Sequence, residues 1–383
     1  MRNTLDIAFF GSSLVSTYWN GAATYYRGLI RALHARGHRI TFYEPDAFER
    51  QQHRDMADPQ WARVVVYPAD AQHVYGVLEA ARGVDLVVKA SGVGVFDELL
   101  EREVLNLRDA RTRVVFWDVD APATLASVEE NPANPFRALI PRYDLIFTYG
   151  GGSPVVDAYL SLGARECVPV YNALDASTHH PVAAEPRFEA LLGFLGNRLP
   201  DREARVEEFF FRPARCLPDR LFLLGGSGWQ PDLPNVRYIG HVGSRDHNAF
   251  NCTPRAVLNV NRESMACTGF SPPTRMFESA GAGACLITDA WPGMADFLEP
   301  GREVLVAHEG DEVAQLVTTL SAARAREIGQ AASRRVRAEH TYAHRARQVE
   351  QVLGVSNETA LPVGAESDRF EPSCGGATTL TNE

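Results

Sequence analysis

Short apolar runs recur along the chain, separated by segments whose apolar residues fall at helical spacing. Residues 5–10, 39–43, 86–88, 114–117 and 145–148 are mostly apolar, the pattern of parallel strands buried on both faces. Between the first two, 22–36 sets Tyr25, Leu29, Ile30 and Leu33 on one helical face. Gly37 follows in the position that favours glycine after a helix. Further helices are predicted at 96–107 and 155–162. This alternation predicts an α/β chain built on a doubly wound sheet.

Segment 170–186 breaks the pattern. It is rich in proline, histidine and small residues and reads as a linker. Alternation resumes with strands at 192–195, 221–224, 236–239, 257–261, 285–288 and 304–306. A helix is predicted at 201–211, and helical chain from 311 to about 353. The expected organisation is a Rossmann-like domain at 1–170, a linker at 171–186 and a second Rossmann-like domain at 187–340. A helix at 341–354 and a tail at 355–383 complete it. The tail is dominated by Ser, Thr, Gly, Glu and Pro, so disorder is expected; it holds Cys374. Two such domains facing a cleft would hold ligand outside the carboxyl ends of their strands.

Within the second half, 259–289 concentrates the candidate chemistry. Ser271 is the expected N-cap of a helix with Pro272 at its first position, and Gly281 and Gly283 mark its end. Free N–H groups and the helix dipole make such a terminus a phosphate site. Arg262, Thr274 and Arg275 lie around it, with Glu278 one turn further in. Cations for a diphosphate beside a carboxylate for a ribose point to a sugar nucleotide.

Composition narrows the alternatives. A net charge of −10 argues against a general nucleic-acid binder. No apolar run reaches the roughly 18 residues of a membrane helix. The six cysteines are scattered without a CxxC pair, so neither a zinc site nor a disulfide framework is expected, and a reduced cytoplasmic setting is. The first strand begins at once, with no signal-peptide pattern. Lys89 is the only lysine, and its surroundings exclude a Walker A loop; it reads as a strand end. No GxGxxG follows a strand, which disfavours a nicotinamide oxidoreductase.

Several segments, in order, resemble the GT-B glycosyltransferases, and specifically their spore-maturation-protein CgeB-like branch. Gly11 and the loop to Gly21 resemble the glycine-rich loop after the first strand. Leu29, Ala32, Leu33, Gly37, His38, Ile40 and Thr41 resemble the first helix and the strand after it. Trp117 to Pro122 resembles a motif of the branch, Tyr171 to Asp175 with Pro181 the linker, and Phe194 to Arg198 with Arg202 the first loop of the nucleotide domain. Phe277-Glu278-Ser279-Ala280 with Gly283 resembles the ribose-binding helix. The resemblance spans roughly 5–353 and implies a metal-independent, hexosyltransferase-like enzyme without cofactor. It would move a sugar from a nucleoside-diphosphate sugar to an acceptor hydroxyl on a glycan, protein or small molecule. Two departures stand out. Many members carry a glutamate eight positions before the one Glu278 matches; here that position is Phe270. An arginine–lysine pair for the diphosphate is replaced by Arg198 and Arg202.

The expected site follows. Arg198, Arg202, Arg262, Thr274 and Arg275 would hold the diphosphate and Glu278 the ribose. Gly11, Asn20 and Gly21 would form the acceptor loop. Asp120, or Asp118, would act as base, although Asp-x-Asp-Ala-Pro is also good turn chemistry. The Gly150–Gly152 loop could present N–H groups to donor or acceptor, or simply enter a helix. His179 and His180 are expected to face solvent, and His38 to be structural. A sugar-nucleotide 2-epimerase of the same fold and a non-catalytic sugar-nucleotide-binding protein stay open as alternatives.

Overall fold

The computed structural model describes residues 4–355. The expected tail, including Cys374, lies outside the described residues apart from Val355. The first half contributes β1 (Asp6–Phe10), β2 (Arg39–Asp46), β3 (Arg63–Pro68), β4 (Leu86–Ala90), β5 (Arg113–Asp118), β6 (Leu145–Thr148) and β7 (Cys167–Pro169). They form one sheet in the order β3-β2-β1-β4-β5-β6-β7. The second half contributes β8 (Leu192–Leu195), β9 (Phe222–Gly225), β10 (Val236–Tyr238), β11 (Ala256–Asn259), β12 (Leu286–Asp289) and β13 (Leu305–Ala307). Their order is β10-β9-β8-β11-β12-β13. Every pairing in both sheets is parallel.

Burial on both faces explains the apolar runs. Ala8 and Phe10 of β1 enter one core with Phe116, whereas Ile7 and Phe9 enter the opposite core with Trp117. The second sheet divides in the same way, with Leu258 and Ile287 on one face and Val257 and Leu286 on the other. Each buried Ile, Leu, Val or Phe among them stabilises the fold by about 1.5–3 kcal/mol relative to exposure.

Some elements depart from expectation. β3 and β7 were not anticipated: β3 is a largely exposed edge strand and β7 has three residues. The helix at 200 does not stop at 211; a π turn (Glu207–Phe211) carries it into Arg212–Cys216. The helix expected from Pro272 starts at Thr274 with Pro273 at its N-cap; Ser271 packs against Gly150 of the first half, and the Pro272 carbonyl accepts from Asn172 instead of opening the helix. Lys89 is a strand residue as expected, but fully buried, donating to Asp97 at 2.7 Å. The five described cysteines are free.

The chain crosses between the halves twice. After the first crossing, Leu174 donates its amide to the His340 carbonyl at 2.7 Å, and Tyr342 donates back to Leu174 at 3.2 Å. The final helix, Tyr342–Leu353, then packs on Ala23–Ala35 of the first half. Tyr342, Ala346, Val349 and Leu353 complete that half's core. His38 has the structural role expected of it: its Nδ1 accepts from Leu5 and its Nε2 meets Glu350 at 3.0 Å.

Candidate functional site

Both sheets share one strand order and therefore one kind of switch point, between β1 and β4 in the first and between β8 and β11 in the second. Ligands of such sheets bind beyond these carboxyl ends. Here the two switch points line the same cleft, of about 740 Å³. Ser12 after β1 and Ser91 after β4 line one wall. Gly196 and Asn197 after β8, and Val260 to Arg262 after β11, line the other.

On the second wall, Pro273, Thr274 and Arg275 bring the start of the helix Thr274–Gly281 into the cleft. No side chain caps this helix, so its first N–H groups remain available. Arg202 lies over the end of β8; a Cβ on Gly196 would sit 2.8 Å from its Nη2, so glycine lets the guanidinium rest close to the backbone there. Burial, and then the neighbouring Arg275 and Arg262, push the Arg202 guanidinium down to about 10. Three guanidiniums thus share a small volume, with Arg262 tied to Asp201 at 2.5 Å. Glu278 is 8% exposed and pairs with Arg275 at 3.0 Å. Burial raises its carboxyl, but Arg275, His179 and His247 outweigh that and hold it below the usual range.

Arg198 is elsewhere. It is exposed, pairs with Glu203 at 2.6 Å and does not line the cleft, because its side chain follows the outside of the helix it precedes.

On the first wall, Asn20 and Gly21 line the cleft. Asn20 buckles its loop, accepting from Ser12 Oγ at 2.9 Å and donating to the Ser13 and Ser16 carbonyls. Gly11 lies beneath this surface, where a Cβ would come within 2.5 Å of the Phe42 ring; its role is close packing. Beside the loop, Trp19 is 80% exposed and Arg50 is buried, donating to the Ser12 and Val93 carbonyls. Sequence reasoning missed Arg50, since its loop carries no motif.

The two aspartates separate clearly. Asp118 is fully buried and accepts from Ser91 Oγ at 2.8 Å, Thr124 Oγ1 at 3.0 Å and Tyr159 OH at 2.5 Å. It braces the loop and has no path to a substrate. Asp120 faces the cleft at the N-cap of Ala121–Glu130 without a side-chain cap bond. It keeps solvent access, yet the surrounding protein raises its carboxyl above the usual range, with Arg262 across the cleft opposing.

The Gly150–Gly152 loop meets protein. Gly151 donates its amide to the Phe270 carbonyl at 2.8 Å, and Asn172 Nδ2 donates to Pro272 at 3.2 Å. The Phe270 ring fills the space that a Cβ on Gly152 or Gly293 would need. His179 also departs from expectation: it is half-buried, with Nε2 3.8 Å from Glu278 Oε1. The linker folds back onto the second half and brings it there.

Residues 202–351 match a family model described as glycosyl transferase-like. No curated protein matches the chain in sequence. Among solved structures, sucrose-phosphate synthase from Thermosynechococcus elongatus is 14% identical, with 92% of this chain and 98% of that one aligned at a TM-score of 0.66. Anabaena HepE in complex with UDP and glucose is also 14% identical, covering 92% and 100% at 0.64. An alpha-glucosyltransferase in complex with UDP-glucose and DNA containing an abasic site is 10% identical, covering 92% and 100% at 0.66. The fold is that of the GT-B glycosyltransferases. In this GT-B chain the segment matched by the family model contains Arg202, Arg262, Thr274, Arg275 and Glu278. Among the described residues, no helix is long and apolar enough to cross a membrane.

Proposed function

We propose that the chain is a glycosyltransferase that moves a sugar from a nucleoside-diphosphate sugar to an acceptor hydroxyl. One observation carries the reading: three arginines and an uncapped helix start face a solvent-accessible carboxylate across a cleft joining two switch points. Arg202, Arg262, Arg275 and the first N–H groups of Thr274–Gly281 hold the diphosphate; Glu278 accepts from the ribose hydroxyls. UDP sugars are the first donors to try, since structures of similar fold hold UDP or UDP-glucose.

Asp120 removes the proton from the acceptor hydroxyl as its oxygen bonds to the anomeric carbon. The bond from that carbon to the diphosphate breaks, and the arginines take up the charge on the leaving group. The transfer itself uses no metal or cofactor. Asn20 and Gly21 border the acceptor end, where the exposed Trp19 offers a flat apolar face to a sugar or another ring. The 117–122 segment supports assignment to the CgeB-like branch, and a cytoplasmic setting fits the scattered free cysteines.

Phe270 supports a second reading, a sugar-nucleotide-binding protein without transfer. It packs against Gly152 and Gly293, where a family glutamate would contact the sugar. Calorimetric titration of UDP, GDP and dTDP into wild type and Glu278→Ala tests the donor site. Binding by wild type and its loss in the variant are expected; equal binding by both refutes the ribose assignment. Turnover of UDP-glucose with added sugar acceptors separates transfer from binding alone.

A further inference from the structure

We infer that His179, His247 and Glu278 form a binding site for a borderline divalent transition-metal ion such as Zn²⁺, exclusive with nucleotide at the ribose position. One ring nitrogen of each histidine and a carboxylate oxygen of Glu278 lie within 4.8 Å of one another. The three residues come from separate elements: the linker, the helix His247–Cys252 and the helix Thr274–Gly281.

Hydrogen bonds fix both imidazole tautomers. His247 Nε2 lies 3.2 Å from the Val242 carbonyl, which can only accept, so Nε2 carries the proton and Nδ1 keeps its lone pair. Thr178 Oγ1 donates to the Asp175 carbonyl at 3.1 Å. It therefore accepts from His179 Nδ1 at 2.9 Å, which leaves the lone pair on His179 Nε2. That nitrogen faces Glu278 Oε1 at 3.8 Å, while Arg275 takes the other oxygen, Oε2, at 3.0 Å. His179 thus turns a free lone pair towards Glu278, and the His247 ring beside them keeps a lone pair of its own.

Each imidazole has one nitrogen anchored by an oxygen acceptor, the kind of contact that orients metal-binding imidazoles. Two histidines and one glutamate suit zinc and leave a position for water; Mg²⁺ and Ca²⁺ would require a richer oxygen set. Glu278 lines the cleft, so an ion can reach the site from it. Metal binding stands on this geometry alone. Exclusion of nucleotide rests on Glu278 being the ribose partner.

Calorimetric titration of Zn²⁺ into the untagged chain should give one site. His247→Ala, His179→Asn and Glu278→Gln should each weaken it by at least about tenfold. His308→Ala, which removes an exposed His–Glu pair, should leave it unchanged. Near-UV circular dichroism checks that each variant is folded. No binding by wild type, binding insensitive to the three cluster variants, or equal binding of Mg²⁺ overturns the site. For exclusion, Co²⁺ is bound first and its visible absorption followed as uridine is added, a nucleoside without a diphosphate to chelate the metal. Loss of the signal is expected; an unchanged signal with uridine bound overturns exclusion. UDP titrated in the presence of EDTA reports separately on the donor reading, which fails if UDP does not bind there.

Discussion

Gly151 of the first half donates its backbone N–H to the carbonyl of Phe270 in the second, at 2.8 Å. Phe270 holds a left-handed backbone, φ 47°, and its ring lies against Gly152, φ 49°. The seam needs a residue without a Cβ at 152. Gly152→Ala should therefore lower stability by about 1–3 kcal/mol or separate the halves. Thermal unfolding reads the first effect and small-angle scattering the second. Because one contact is shared, Phe270→Ala in the same chain should recover part of the loss, so the two changes will not add.

Asp120 and Asp118 should differ in kind. Asp120→Asn is expected to lower kcat by about 10²–10⁴-fold while nucleotide affinity holds. The Asp120 carboxyl is raised, and a base works only when deprotonated. The wild-type rate should fall as pH drops through that raised value, above the range of an ordinary carboxylate. Asp118→Asn should act mainly through stability, since its oxygens hold Ser91, Thr124 and Tyr159. Rate–pH profiles alongside melting curves separate the two.

Arg202 is lowered by burial first and then by the like charges of Arg275 and Arg262. Removing it should relieve the ligand-free protein while weakening diphosphate binding. Arg202→Gln is expected to keep or raise Tm and to lower UDP affinity by at least about tenfold, or about 1.4 kcal/mol. Uridine affinity should change little. A parallel loss for uridine would remove Arg202 from the diphosphate site.

His340 is buried near the crossing between halves, and burial first, then Arg345, push it down to about 3. Folded protein therefore keeps it neutral where the unfolded chain, at about 6.5, takes up a proton. Stability from this group is intact above about pH 6.5 and is lost as pH falls from there towards its folded value. His340→Asn keeps an acceptor for Arg345 and should flatten the dependence of urea midpoints on pH over that window. An unchanged slope would assign acid sensitivity to other groups.

The interior strands of both sheets were legible because burial on both faces demands continuous apolar runs. β3 was not: it is an edge, and Val64 to Val66 stay partly exposed, so the burial on both faces that marks the interior strands is missing. β7 has only three residues, too few to carry a period. The site was legible where chemistry and backbone coincide, as at Glu278 and Arg275 on one helix face. Spacing along the chain could not separate Asp118 from Asp120, because two residues decide which carboxylate meets Tyr159 and which meets the cleft. Nor could it join His179 to His247, 68 positions apart, since only the folded linker brings them together.

The returning helix Tyr342–Leu353 has a consequence for biosynthesis. It seals Gly28, where a Cβ would lie 2.2 Å from the Tyr342 ring, and Arg36 and His38 both meet Glu350. The first half emerges from the ribosome before the segment that closes its core. Until the last helix is made, its apolar face has no cover, and the nascent chain must wait for the second half to be translated before the first is finished.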